Sequence, residues 1–479
     1  MARFLFCSYG AVGHVTPLWP VASALRARGH AVGVLTAPVY EAKAAALGLR
    51  YFAPRTWEAT LDRVQSERAP RDGLEALREM QRVLNEVLVP DGLRQMNDMR
   101  DITSSWDVDV VVGTSATFGV SLFAEKEQKV WATHAPLLTC PLPSRDLAPW
   151  GTGAQPPRST VAKARAALLR GAYQMLNSML SREWGRLRAR EGLPAVTKYL
   201  TESVFSPFLY MIPSPAEFDF PRSDLPPQVH YVGPCLAGGG SSSEGWKNPF
   251  TNGDPLVYCT AGTVADPRGL VRTAIEAVRG QRMNLFVTLG PRFSPAELGP
   301  LPPNVVAASF VPQHLLLPDV SAVVCNGGSG AVMGTLAAGK PLVIVPQLSD
   351  QPENAARCAA LGAGVVLAEQ RLTPALLRAA LEHVLATPSY TAAARRMADS
   401  LAATNGPGVA AELLERLADA KQPIYRGEPA PSLGPEMPGL PPEASAGASA
   451  GRSLPAEFSQ SRVVRIDRAL LREKARMQG

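Results

Sequence analysis

A chain of 479 residues is too long for one ordinary hydrophobic core, and with 46% apolar residues it can fill two or three. The net charge is only +6, and residues 450–479 alone hold seven Arg or Lys against three acids, so the body is near neutral and shows no basic face for a nucleic acid. Six cysteines (7, 140, 235, 259, 325, 358) sit without a CxxC pair, mostly in apolar runs, and six histidines (14, 30, 134, 230, 314, 383) form no ligand-spaced cluster; reduced core thiols are expected, with no disulfide framework and no structural metal.

In chain order, residues 3–8 read as a strand. Its Phe4-Leu5-Phe6-Cys7 run is too short for a signal peptide and is soon broken by Gly10, Gly13, His14 and Pro17. A helix is expected over 17–28, opened by Pro17 and ended by Gly29, then a strand over 31–36. A helical stretch around 72–100 leads to strands at 108–112 and 129–134, which flank a helix at 117–127. Residues 141–157 are rich in Pro and Gly and read as a loop, and 159–192 as helical. Around 221–254 the composition shifts to Pro, Gly and Ser, as in an interdomain linker.

A second alternating series follows, with strands at 256–260, 284–289, 304–309, 320–325, 342–345 and 364–367 and helices between. Short β-branched runs alternating with helical periods indicate an α/β fold with doubly wound parallel sheets. The expected division is 1–220, a linker at 221–254, a second domain at 255–421, and a tail at 422–479. Residues 422–461 have the composition of a disordered linker, and 462–476 a short basic amphipathic pattern suited to peripheral contact with a membrane or a protein. No run approaches the roughly 18 apolar residues of a membrane span, so the chain is expected in the cytoplasm.

The passage richest in chemistry is Asn326-Gly327-Gly328-Ser329-Gly330, after the strand-like Val323-Val324-Cys325 and before a helix. Such a turn aims backbone N–H groups and a positive helix end at one spot, which suits a phosphate. One strand later, Asp350-Gln351 brings a carboxylate and an amide to the same sheet edge, a pair able to bind sugar hydroxyls. Together they suggest a nucleotide-sugar site.

These stretches, with Gly13-His14-Val15-Thr16-Pro17, Leu256 to Thr263, Leu301-Pro302-Pro303-Asn304-Val305 and Val311-Pro312-Gln313, resemble the GT-B glycosyltransferases over residues 1 to about 420. The resemblance is closest to the family-1, UDP-glycosyltransferase-like enzymes of the bacterial macrolide and natural-product branch. It implies two Rossmann-like domains facing a central cleft, in which a hexose passes from a UDP- or dTDP-sugar to a hydroxyl of a small lipophilic acceptor. It implies no cofactor beyond the nucleotide-sugar co-substrate and no catalytic metal.

By the same resemblance His14 is the general base, and Gly262, Thr263, Phe310, Val311, Gln313, Asn326, Gly327, Gly328, Ser329, Gly330, Asp350 and Gln351 bind the donor. Three positions depart from the family pattern. Gly113-Thr114-Ser115 stands where a carboxylate usually orients the base, leaving Ser115 or Thr114 as its partner, with His134 on the acceptor side of the same edge. Asn326 replaces a histidine at the diphosphate, and Gly334 replaces a glutamate that grips the ribose, a loss easier to accept for a deoxyribose such as that of dTDP. An inverting transferase is the favoured reading; a catalytically impaired homologue that binds nucleotide or activates a partner transferase, and another nucleotide-sugar enzyme on the same fold, are the alternatives.

Overall fold

Runs such as Val110-Val111-Val112 and Val323-Val324-Cys325 have no polar alternation, so they are satisfied only in strands covered on both faces. The computed structural model, which describes residues 1–8, 10–55, 81–195, 199–236, 246–260, 262, 268–290 and 293–427, places them inside two all-parallel sheets. The first sheet comprises β1 (Arg3–Cys7), β2 (Ala31–Leu35), β3 (Arg50–Phe52), β4 (Val110–Gly113), β5 (Trp131–His134), β6 (Tyr210–Ile212) and β7 (Val229–Tyr231), in the order β3-β2-β1-β4-β5-β6-β7. The second comprises β8 (Leu256–Thr260), β9 (Asn284–Thr288), β10 (Val305–Ala308), β11 (Ala322–Cys325), β12 (Leu342–Ile344) and β13 (Gly364–Val366), in the order β10-β9-β8-β11-β12-β13. Chain order therefore reverses between β1 and β4 in one sheet and between β8 and β11 in the other. At such a switch point the loops leave the carboxyl edge in opposite directions and open a crevice.

The helices are α1 (Val12–Val15), α2 (Leu18–Ala27), α3 (Glu41–Ala46), α4 (Val89–Ser105), α5 (Phe118–Lys126), α6 (Thr160–Leu180), α7 (Arg182–Arg190), α8 (Arg268–Val278), α9 (Gln313–Leu316), α10 (Ser329–Ala337), α11 (Gln351–Ala360), α12 (Pro374–Ala386), α13 (Pro388–Ala402) and α14 (Gly406–Ala420). The expected 159–192 helix is thus two helices, broken at Ser181. All six cysteines are buried and unpaired.

Two expectations are redrawn. Residues 229–231 lie within the expected linker 221–254, yet they form β7 and pair with β6 through Tyr210↔Val229, Met211↔His230 and Ile212↔Tyr231. A three-residue strand between Pro226-Pro227 and Gly233-Pro234 leaves no composition signal; only its partner strand defines it. The segment 406–426, expected with the second domain and the tail, packs on the first sheet: Ala410, Leu414, Leu417 and Ile424 share a core with Leu18, Val21 and Leu25 of α2. Glu415 of α14 accepts from Arg28 Nε at 2.8 Å and lies 2.7 Å from His30 Nε2. Residues 422–426 are likewise pinned rather than loose. The Ile424 N–H donates to Phe208 O at 2.8 Å, His230 Nε2 lies 2.8 Å from Ile424 O, and Arg426 donates to Pro226 and Val229 carbonyls, each at 2.6 Å. Residues 428–479, with the 462–476 pattern, lie outside the described residues, as do 237–245 of the linker and part of the expected 72–100 stretch.

Candidate active site

The first switch point brings β1 and β4 side by side, so the segments that follow them meet. After β1 the chain makes the single turn α1, which presents His14 half-buried beside exposed Val12 and Gly13. After β4 comes buried Thr114, whose Oγ1 lies 3.3 Å from His14 Nδ1. No hydrogen bond engages His14 Nε2 among the described residues. Burial pulls the imidazole pKa down to about 4, and no neighbouring carboxylate offsets it. The base candidate is therefore neutral near pH 7, with one nitrogen engaged and the other available.

Of the two hydroxyls the sequence left open, Thr114 meets His14; Ser115 does not. The reason is the strand pleat. Thr114 continues β4 on the side of Val110 and Val112, which share a core with α2, whereas the next residue turns away. The register Val112↔Ala132, Gly113↔Thr133 carries on so that His134 falls level with Thr114 on the neighbouring strand. His134 is 1% exposed, its pKa is pulled to about 4 by burial, and neither ring nitrogen has a hydrogen-bond partner among the described residues. Buried polar groups are rarely left so, which marks His134 as a place where a water or a ligand group belongs.

At the second switch point, buried Asn326 follows β11 and Gly262 follows β8. A Cβ on Gly262 would lie 3.5 Å from Asn326 Nδ2, so the two face each other. Gly327 has φ +89, and a Cβ there would come within 2.9 Å of Ile344 Cγ2 and 3.1 Å of the Gln351 carbonyl. Only glycine fits that left-handed, tightly covered turn. The Gly328 N–H donates to Asn326 Oδ1 at 3.3 Å, and α10 then begins with no side chain capping it. Its first N–H groups and its positive dipole end stay available to an anion. Gly330 adds open space at the same end.

Asp350 and Gln351 stand at the start of α11, beside this turn. The Ser329 hydroxyl donates to Asp350 Oδ2 at 2.6 Å, and Asn354 Nδ2 donates to the same oxygen at 2.8 Å and to Gly327 O at 2.9 Å. Burial pushes the Asp350 carboxyl up, while these hydrogen bonds pull it the other way. Gln351 Oε1 accepts from the N–H groups of Gln347 and Leu348 at 2.9 and 3.1 Å, which fixes the loop after β12. Asn354, one helical turn after Asp350, was not singled out in the sequence; the i, i+4 spacing from Asp350 was its only signal.

The remaining donor candidates lie at the same edge. After β10, Phe310 is 70% exposed, Val311 packs on the second-sheet core and Gln313 opens α9. A Cβ on Gly334 would meet Gln313 Oε1 at 3.0 Å, so the amide occupies the side where a longer residue at 334 would emerge. Thr263 lies outside the described residues. No group of three His, Cys, Asp or Glu side chains suited to a metal occurs among the described residues, and no helix there is long and apolar enough to cross a membrane.

Two parallel doubly wound sheets, each with its loops gathered at a switch point, define the GT-B class, and solved structures share the arrangement. A kitacinnamycin glycotransferase covers 87% of this chain and 98% of its own at 21% identity, with a TM-score of 0.68. A spinosyn rhamnosyltransferase complexed with thymidine diphosphate covers 86% and 100% at 20% identity, with a TM-score of 0.59. The model of the erythromycin biosynthesis protein CIII-like C-terminal domain matches residues 283–417. Among curated proteins, 4'-demethylrebeccamycin synthase of Lentzea aerocolonigenes is 32% identical over 425 residues, 87% of this chain and 99% of the relative. Demethyllactenocin mycarosyltransferase of Streptomyces fradiae is 27% identical over 87% of both chains. The chain belongs to this GT-B glycosyltransferase family from natural-product pathways.

Proposed function

We propose that this glycosyltransferase moves a hexose from a dTDP- or UDP-sugar to a hydroxyl of a small lipophilic natural product or lipid, with inversion at the anomeric carbon. The observation that carries the reading is the pairing of a neutral histidine at one switch point with an uncapped helix start behind a glycine turn at the other. His14 Nε2 takes the acceptor's hydroxyl proton as that oxygen bonds to the anomeric carbon. The bond from that carbon to the diphosphate oxygen breaks, and its electron pair stays on the nucleoside diphosphate. The α10 N-terminus and the Asn326 amide meet this charge with oriented dipoles. Asp350 and Gln351 read the sugar hydroxyls, Phe310 offers its exposed ring to the base, and His134 lines the acceptor side. No residue in this scheme calls for a metal.

Between the two donors, thymidine diphosphate is favoured. Position 334 has no carboxylate to bind a 2'-hydroxyl, and Gln313 crowds that side. The fold neighbour complexed with thymidine diphosphate agrees with this choice, whereas the relatives named UDP-glycosyltransferase 2 and UDP-glucosyltransferase keep UDP-sugars in the test. The acceptor class rests on the relatives' names alone. We further read residues up to about 231, together with 406–426, as the acceptor domain, 256–402 as the donor domain, and the enzyme as cytoplasmic.

Thermal-shift screening with UDP-, dTDP- and GDP-glucose, followed by assay of donor turnover, tests the proposal. Stabilisation and turnover with a dTDP- or UDP-sugar are expected. Stabilisation without turnover would point to a binding homologue, and no stabilisation by any of the three would remove the donor site.

A further inference from the structure

Helix α11 begins at the donor residues Asp350 and Gln351, but its next turn faces away from them, towards the Pro- and Gly-rich loop between β5 and α6. The Gly151 and Gly153 N–H groups donate to Glu353 Oε1 at 2.9 and 2.8 Å, and Gln155 Nε2 donates to Ala356 O at 3.1 Å. Gly153 has φ +59, and a Cβ there would lie 2.6 Å from the Pro352 carbonyl oxygen, so backbone rests directly on backbone. The loop is fastened at its other side to the first domain: Trp150 Nε1 donates to Thr139 Oγ1 at 3.1 Å, and Arg170 of α6 donates to Leu147 O at 2.9 Å.

Glu353 is held in turn. Its second oxygen pairs with Arg357 Nη1, and Arg357 Nε and Nη2 reach Asp219 Oδ1 at 3.0 and 2.8 Å. Asp219 also accepts from the Cys140 N–H and the Tyr231 hydroxyl, and the Arg357 guanidinium lies 4.2 Å from the centre of the Phe220 ring. Glu353, Arg357 and Asp219 are all at least nine-tenths buried. Every oxygen of this cluster that would carry charge has a donor, so the cluster is rigid and Glu353 has one place to be.

We propose that Glu353 is a positioning residue that couples the donor site to the acceptor-side loop 147–155: a nucleotide seated on the glycine turn steadies the start of α11, which is bonded to that turn through Ser329–Asp350 and Asn354–Gly327, and Glu353 transmits that to Gly151 and Gly153. This rests on the reading of Asp350 and the glycine turn as the donor site. Nucleotide binding costs less when the loop is already ordered, and the loop is better ordered when nucleotide is bound, as reciprocal coupling requires. An acceptor is thereby held in place only when a donor waits for it.

Amide hydrogen exchange on the full chain, with and without saturating dTDP or UDP, tests the coupling, with calorimetry of the same nucleotides measured separately. In the parent protein, nucleotide should slow exchange across 147–155 about 10-fold as well as at 326–331 and 350–354. Glu353→Gln and Glu353→Ala should bind nucleotide within a few-fold of the parent while losing the effect at 147–155. Because Glu353→Ala removes one of the two carboxylates that hold buried Arg357 and can unfold the protein, Gly153→Ala serves as the second variant: it leaves the charge cluster intact and displaces the loop through the clash with Pro352. It should show the same loss, with nucleotide affinity weakened by no more than the coupling itself, about 10-fold. Nucleotide binding that leaves 147–155 unaffected in the parent, or protection that survives in Gly153→Ala and Glu353→Gln, overturns the coupling alone. Absence of nucleotide binding overturns the donor-site reading and the coupling with it.

Discussion

His14 Nδ1 and Thr114 Oγ1 stand 3.3 Å apart, a hundred residues apart in sequence, joined across the reversal between β1 and β4. A hydroxyl in this place differs from a carboxylate in two ways. It accepts from Nδ1–H or donates to bare Nδ1 with equal ease, so it does not enforce the tautomer that leaves a lone pair on Nε2. It also gives an imidazolium less support than an anion does. Both differences leave His14 a weaker base than a carboxylate-paired histidine.

Replacing His14 is the first test of its proposed role. His14→Ala is expected to lower the transfer rate by roughly 10²-fold or more, the range typical of general-base loss. Nucleotide affinity measured by calorimetry should change little, since the donor turn belongs to the other sheet. A variant that turns over at the parent rate would take His14 out of the mechanism.

The pH profile follows from the lowered pKa. With His14 titrating near 4 rather than 6.5, kcat/KM should hold as pH falls through 6 and decline only towards 4 to 5. Thr114→Asp should restore an anion beside Nδ1 and move that decline upward by about a unit. If the parent profile already breaks near 6.5, the half-buried His14 imidazole is not the group that limits the rate.

Stability should depend on acidity for a related reason. His134 stays neutral when folded down to about pH 4, while in the unfolded chain it takes up a proton near 6.5. Between those values the unfolded state binds more protons, so stability is complete above 6.5 and is lost as pH falls towards 4, by on the order of 3 kcal/mol from this residue alone. Denaturant titrations at pH 4.5 and 7.5 measure the difference. His134→Leu should shrink it, and an unchanged slope would place the acid sensitivity elsewhere.

On the donor side, Asn326→His should tighten nucleotide binding by adding a donor that can carry charge. Asp350→Ala should weaken dTDP-glucose more than dTDP. Some loss of dTDP itself is expected too, because Asp350 Oδ2 also holds Ser329 and, with Asn354, the turn at Gly327. Calorimetry with both ligands separates the contributions. Equal losses would show that Asp350 acts through the turn and does not read the sugar.

The end of the packed chain gives a sharper test than composition alone. A protein ending at 427 should keep the parent melting temperature and donor turnover. One ending at 420 loses buried Ile424 and the Arg426 contacts to the β7 segment, a loss of roughly 2–4 kcal/mol that should lower the melting temperature by several degrees. Equal melting temperatures for the two would mean that 421–426 adds nothing to the core.

The glycine turn, the longer strand runs of both sheets and the turn that carries His14 were legible in the sequence because each is a local signal. An unbroken apolar run admits only a doubly covered strand, and glycines between such a run and a helix leave few conformations. The short strands β3, β6 and β7 escaped the sequence reading, although β12 and β13 are as short, because those three are defined by the strand each pairs with. Likewise nothing near Thr114 in sequence announces that it, and not Ser115, meets His14; the pleat and the reversed strand order decide that. The return of 406–426 to the first sheet was equally hidden, because an amphipathic helix declares that it has an apolar face but not which core will take it. The joining of Glu353 to Gly151 and Gly153 lies furthest from sequence: it needs both domains folded, and a carboxylate and an arginine of one helix brought to two backbone amides about 200 residues away. The sequence by itself determined the kind of sheets, the class of site and the residues with the right chemistry. Tertiary structure decided the partner of each, because a hydrogen bond between distant residues is set by strand order and register, which no local run of residues encodes.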